Sequence, residues 1–133
     1  MKSLLILFVT YFLFFNQANA ATALCKSSES STSYCKYVGK IEQMYINNDG
    51  LVLIFLEKAI PTDMAMKFNY KIDSGKAIAF EITPENSYLT SLIHNTAQEA
   101  LIDSLEVEIH ARSTIKGYMK LDRIWFKSPN SFF

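Results

Sequence analysis

The residues of this 133-residue chain that could do chemistry are few and far apart. There are two cysteines, Cys25 and Cys35, and two histidines, His94 and His110. Hydrolysis or group transfer needs a nucleophile beside a base, paired carboxylates, or a metal held by several side chains. Neither histidine sits in such a motif. His110 alternates outward on a strand-like segment and His94 lies on the polar side of a helix-like one, so both read as solvated. Glu106 and Glu108 share a strand face, where period-two glutamates mark a wet surface. Gly50, Gly75 and Gly117 are isolated turn glycines, so no loop cradles a phosphate. Zinc would need more than one cysteine pair with distant histidines. The expectation is a protein without catalysis, metal or cofactor.

Binding has more to draw on, because 14% of the residues are aromatic. Carbohydrate sites set an aromatic face beside amides and hydroxyls. Tyr45, Asn47, Asn48 and Asp49 have that make-up at a predicted hairpin tip, and Tyr118 and Trp125 form a second group. Each also has a structural reading. Trp125 on a strand fits a core position, and Asn47 to Asp49 are ordinary turn residues.

The elements that must carry these residues follow from periodicity. Tyr37 to Ile46 reads as a strand, Asn47 to Gly50 as a tight turn, and Leu51 to Leu56 as a returning strand. The unbroken apolar run of Leu51–Leu56 suits burial on both faces. After a break at Pro61, Met64, Met66, Phe68, Tyr70 and Ile72 alternate with Ala65, Lys67, Asn69 and Lys71, which predicts a half-buried strand. Asp73 to Lys76 turns it into a strand over Ala77 to Ile82. A helix then opens at Thr83-Pro84 or nearer Ser87. Its predicted buried face holds Leu89, Leu92, Ile93, Thr96, Ala97 and Ala100. Ser91, His94, Asn95 and Gln98 lie opposite, with Ile102 as an apolar residue on that polar side. Leu105, Val107, Ile109 and Ala111 alternate with Glu106, Glu108, His110 and Arg112 as the clearest half-buried strand. Ser113 to Gly117 turns into a last strand, Tyr118 to Phe126. The fold class is therefore mainly β (α+β). The order of strands, one amphipathic helix and two more strands suits a small antiparallel barrel like the oligonucleotide/oligosaccharide-binding (OB) barrel, favoured by the two-faced burial of Leu51–Leu56 over the rival, an open antiparallel sheet with a helix on one face.

The first twenty residues read as a secretory signal peptide. Lys2 gives a basic start, Leu4 to Phe15 is apolar, and Ala18-Asn19-Ala20 supplies a small-x-small cleavage site. The apolar run is shorter than the ~20 residues that span a bilayer, so no membrane span is expected after cleavage. Cys25 does not suit lipidation, since Leu24 before it is too large. The expected organisation is a signal at 1–20, a tethered segment at 21–36, a barrel domain at 37–127 and a tail at 128–133. The 133 residues less this leader leave 113, one domain with a core. The leader carries only Lys2, so the remainder has 12 basic and 13 acidic residues from the 13 and 13 of the whole chain. Near-neutrality and the lack of any long Lys/Arg run argue against a nucleic-acid partner. An even cysteine count in an exported chain predicts a Cys25–Cys35 disulfide, worth about 2.5–3 kcal/mol at best for so small a loop. The expected location is periplasmic or secreted.

The segments VGKIEQMYINNDGLVLIFLE and AIAFEITPENSYLTSLIHNTAQEALIDSLEVEIHA, within roughly residues 37–126, carry a resemblance. The chain resembles the B subunits of bacterial AB-type toxins, including cholera-toxin-like, pertussis-like and subtilase-cytotoxin-like subunits. That resemblance implies a receptor-binding homopentamer that recognises a host glycan or glycoprotein and partners a catalytic A subunit. Helices would line the centre of the ring, so Ser91, Asn95, Gln98 and Ile102 would face a pore or a neighbouring chain. It assigns no sugar-contact residue. The alternative from a different class is a monomeric periplasmic or secreted interaction protein, such as an inhibitor or accessory factor.

Overall fold

The computed structural model describes residues 19–30 and 32–128. The expected signal core, up to residue 18, and the tail from residue 129 lie outside the described residues. The elements are β1 (Thr22–Ser27), β2 (Ser33–Gly39), β3 (Ile41–Ile46), β4 (Leu51–Leu56), α1 (Thr62–Lys67), β5 (Ala77–Glu81), α2 (Ser87–Ile102), β6 (Val107–Ile115) and β7 (Tyr118–Phe126). The fold is mainly β, with the long helix immediately before the last two strands, as the sequence predicts.

The seven strands form one sheet in the order β1-β2-β6-β7-β5-β4-β3. Two details depart from the expected antiparallel barrel. The β5–β7 pair is parallel, and the hydrogen-bonded ladder does not close, so β1 and β3 are its edges. The sheet nevertheless curls strongly. β2 and β3 occupy its second and last places, yet a single residue, Lys40, joins them. A flat sheet would hold these strands five strand spacings apart, at about 4.8 Å each. Tyr37 sits where the curled sheet brings β2 near the end of β4. Its ring is fully buried, its hydroxyl donates to the Lys40 carbonyl, and it accepts from the Glu57 N–H just beyond β4. Burial pushes its phenol well above the ordinary tyrosine range.

The inner face collects Val52, Ile54, Ile78, Phe80, Val107, Ile109, Ala111, Met119 and Leu121 into one core. Leu51–Leu56 is buried on both faces, as its apolar run implies. Leu53 packs outward on Ala77 and Ala79, with Phe55, Ile115 and Tyr118 around them.

Three expectations are corrected. The segment 21–36 is no loose tether, because β1 and β2 pair across it with Cys25 directly opposite Cys35 and bonded to it. The predicted strand over 64–72 is the short helix α1 followed by irregular chain. Pro61 sits at its N-cap, and a Met64–Phe68 spacing of four serves a helix as well as a strand. Phe68 and Met64 are half-buried against the core, while Met66 is exposed. The phase of α2 also differs. Its buried residues are Thr90, Ala97 and Ala100, flanked by half-buried Ile93 and Leu101. Leu89 and Leu92 are instead 59% and 48% exposed. Small side chains let the helix approach the sheet closely. Thr90 is buried without penalty because its hydroxyl donates to carbonyls one turn back, at Asn86 and Ser87.

Candidate functional site

The β-hairpin tip over 47–50 is built for turning. The Asn47 Oδ1 accepts from the Asp49 and Leu51 N–H groups, both at 3.0 Å. Gly50 has φ +83°, and a Cβ there would meet the Ile82 carbonyl oxygen at 2.6 Å. Asn48 and Asp49 are exposed at that tip, and Tyr45 is exposed on β3. Tyr118 is half-buried in the outer cluster around Leu53. Tyr45 stands opposite Leu53 in the register, so the fold places Tyr45 and Tyr118 beside the same small apolar cluster.

Trp125 does not join them. It lies seven residues from Tyr118 along β7, a separation of about 23 Å at 3.3 Å per residue. It is not a core residue either. It is 37% exposed on the outer face of the sheet, where β2, β6 and β7 lie side by side.

That face is organised by the register. Outward positions alternate with Cys35, Tyr37, Val107, Ile109 and Ala111, which point into the core. Lys36 lies opposite His110, His110 opposite Arg123, and Glu108 opposite Trp125. Tyr34, His110 and Trp125 therefore step diagonally across three strands. Their ring centroids are 4.7 Å apart for Tyr34–His110 and 4.8 Å for His110–Trp125, the latter edge-to-face. Each step is about one strand spacing. Cations line both flanks of this stripe. Lys26 and Arg112 lie 5.5 and 5.9 Å from the centre of the Tyr34 ring, within cation–π range. Arg123 and Arg112 both reach Asp122 Oδ2, at 2.9 and 3.4 Å.

No protein-family model matches this chain, and no curated protein or solved structure matches it either.

Beneath the stripe lies Glu108, only 6% exposed. Its Oε1 accepts from Lys36 Nζ at 3.2 Å and His110 Nε2 at 3.0 Å, and its Oε2 accepts from Lys127 Nζ at 3.1 Å. Burial alone would raise the Glu108 carboxyl, but the hydrogen bonds from His110, Lys127 and Lys36 outweigh it and hold it below the ordinary range. Burial of the imidazole holds His110 below the usual histidine value, against the opposing pull of Glu108. The carboxylate can only accept, so the His110 Nε2 carries a proton and donates it. Burial thus favours the neutral imidazole, and the bond to Glu108 selects its Nε2-protonated tautomer between two aromatic neighbours.

The expectation of wet-surface roles for Glu108 and His110 is corrected. Glu108 is buried because three cationic or donor groups converge on it, and His110 is half-buried because Tyr34 and Trp125 enclose it. Sequence reasoning missed Tyr34, Lys36 and Lys127 entirely. For Tyr34 and Lys36 the one signal is alternation out of phase with the buried cysteine and tyrosine of β2, which needs the strand register to become legible, while Lys127 lies one residue beyond β7 and carries no such signal.

On α2, Ser91, Asn95 and Gln98 are exposed, and Ile102 is 71% exposed. Tyr88, Leu89 and Leu92 add apolar surface at the other end of the helix. Among the described residues no helix is long and apolar enough to cross a membrane.

Proposed function

We propose that this is an exported, non-catalytic binding protein whose ligand, a host-cell glycan or glycoprotein, docks on the outer face of β2, β6 and β7. The observation that carries this reading is the Tyr34–His110–Trp125 stripe, which keeps Trp125 partly exposed at its end. Sugar rings present C–H faces that stack on aromatic rings, and hydroxyl edges that pair with charged and amide groups. A stripe with steps of about one strand spacing, flanked by Lys and Arg donors, offers both. The site therefore moves from the Asn47–Asp49 tip to Trp125 and its neighbours. Titration with immobilised glycans tests it. Trp125→Ala should weaken binding about tenfold or more, as loss of a stacking aromatic does.

The toxin B-subunit reading adds a homopentamer, a receptor on the host cell and an A-subunit partner. It is supported by the exposure of Ser91, Asn95, Gln98 and Ile102 and by two sheet edges, β1 and β3, that a neighbour could cover. Light scattering on the purified protein tests it, and a strict monomer at tens of micromolar counts against the ring. The exposed Tyr88, Leu89 and Leu92 favour a second reading, a monomer that docks another exported protein through α2.

A further inference from the structure

We infer that the ligand of the Trp125 face is an anionic glycan, one whose sugar rings carry sulfate or carboxylate groups along the chain. This rests on the glycan-binding reading above and specifies its chemistry. The chain as a whole is balanced, with 13 basic and 13 acidic residues. The balance is not uniform. Lys26, Lys36, Arg112, Arg123 and Lys127 all surround one aromatic stripe, on four adjacent strands and the residue after β7.

The acids of this face cancel only part of this charge. Glu108 is buried under the stripe, where it holds Lys36, His110 and Lys127 in place and presents no free charge to solvent. Asp122 is a single carboxylate shared by two arginines, each through its Nε. A guanidinium has five N–H donors, so one shared carboxylate leaves most of that donor capacity directed outward. Glu106 sits one residue before β6, at the Lys127 end and away from Tyr34. The outer end of the stripe, where Lys26, Tyr34 and Arg112 meet, therefore carries an excess of positive charge beside an aromatic face, with Lys26, Arg112 and Arg123 set against Asp122 and the exposed Glu29 of the β1–β2 turn. An anionic group on one sugar would reach Arg112 and Arg123 from one flank while its neighbour stacks on His110 or Trp125. A neutral glycan would offer the arginine pair no anion beyond Asp122.

The test measures binding of the purified protein to three immobilised polysaccharides in parallel: heparin for sulfate, polygalacturonate for carboxylate alone, and dextran as a neutral chain. At least one anionic polymer should bind at least tenfold more tightly than dextran, and that binding should weaken about tenfold between 50 and 300 mM salt, as screening predicts. Whichever of heparin and polygalacturonate binds more tightly identifies the anion. The double variant Arg112→Gln, Arg123→Gln should lose the preference while melting at the same temperature, since both side chains are exposed. Lys71→Gln, on the loop before β5, is the charge control and should change nothing. Dextran binding that equals anionic binding, or an anionic preference that survives the double variant, overturns the inference. Dextran binding that falls with Trp125→Ala but not with the arginine variant leaves the glycan-binding reading standing while this inference fails. Absence of binding to all three polymers overturns this inference, whereas the glycan-binding reading is then decided by a broader glycan array.

Discussion

Glu108 and His110 stand two residues apart on the same outward face of β6, and the imidazole Nε2 donates to the buried carboxylate at 3.0 Å. This bond fixes the ring that bridges Tyr34 to Trp125. It also sets how stability should respond to acid. His110 lies below its ordinary value in the folded state, so the unfolded chain binds a proton first as pH falls, and stability drops as pH falls below about 6.5. Glu108 also lies below its ordinary value, so its contribution is present above the unfolded carboxylate pKa and is lost as pH falls through the folded one. Both act in one direction. Thermal melting should show a decline from pH 7 toward 5, then a steeper one under about pH 4.5. His110→Gln should remove the first decline and leave the second. A wild-type melting temperature flat from pH 7 to 5 would contradict the assignment of a neutral His110.

Removing the carboxylate should be costly because its partners stay behind. Glu108→Ala leaves Lys36 and Lys127 converging on an empty site, and breaking a buried charge cluster in this way costs about 3 kcal/mol or more. Glu108→Gln keeps the shape and one acceptor and should cost less. Chemical denaturation of the two variants checks the order, and equal costs would mean that the cluster holds no net charge–charge stabilisation.

The disulfide joins residues that face each other on paired strands, with β1 at the sheet edge and β2 held on its other side by β6. Reduction should therefore loosen β1 far more than β2. Hydrogen exchange on the reduced protein should rise at residues 22–27 and stay low at residues 33–39. The stability lost should be about 2–3 kcal/mol. Equal exchange in both strands would mean that β2–β6 pairing does not stand without the crosslink. Free thiols in the untreated protein would contradict the disulfide itself.

The helix offers a pair of substitutions with opposite expected outcomes. Leu92 is about half exposed, so Leu92→Asp should cost under about 1 kcal/mol. Ala97 is fully buried against the sheet, so Ala97→Asp buries an unpaired charge and should cost about 3 kcal/mol or more. Equal melting temperatures for the two variants would place the helix in a different phase.

The elements legible in the sequence are those marked by a short unbroken apolar run or by one dominant period. Leu51–Leu56 and the alternation of Val107, Ile109 and Ala111 declare strands, and the run from Ser87 to Ile102 declares a helix. Residues 64–72 did not yield to the same rule, because Met64 and Phe68 satisfy both a two-residue and a four-residue spacing and Pro61 decides between them. The buried face of α2 was obscured because it is made of Thr90, Ala97 and Ala100. A pattern search weights large apolar side chains, and here those point outward. Trp125 was legible as a candidate binding residue, but the residues that the fold sets around it were not. Tyr34 precedes it by 91 positions, and only the register of β2 on β6 and β6 on β7 brings the two to either side of His110.

The central claim is that the Trp125 face, and not the hairpin tip at Asn47–Asp49, holds the ligand. The direct measurement is a glycan array read with the wild-type protein, Trp125→Ala and Asn48→Ala, followed by titration of the tightest ligand against all three. The account predicts that Trp125→Ala loses binding about tenfold or more while retaining its melting temperature to within a few degrees, and that Asn48→Ala binds as the wild type does. Full binding by Trp125→Ala, or loss of binding in Asn48→Ala alone, would contradict it.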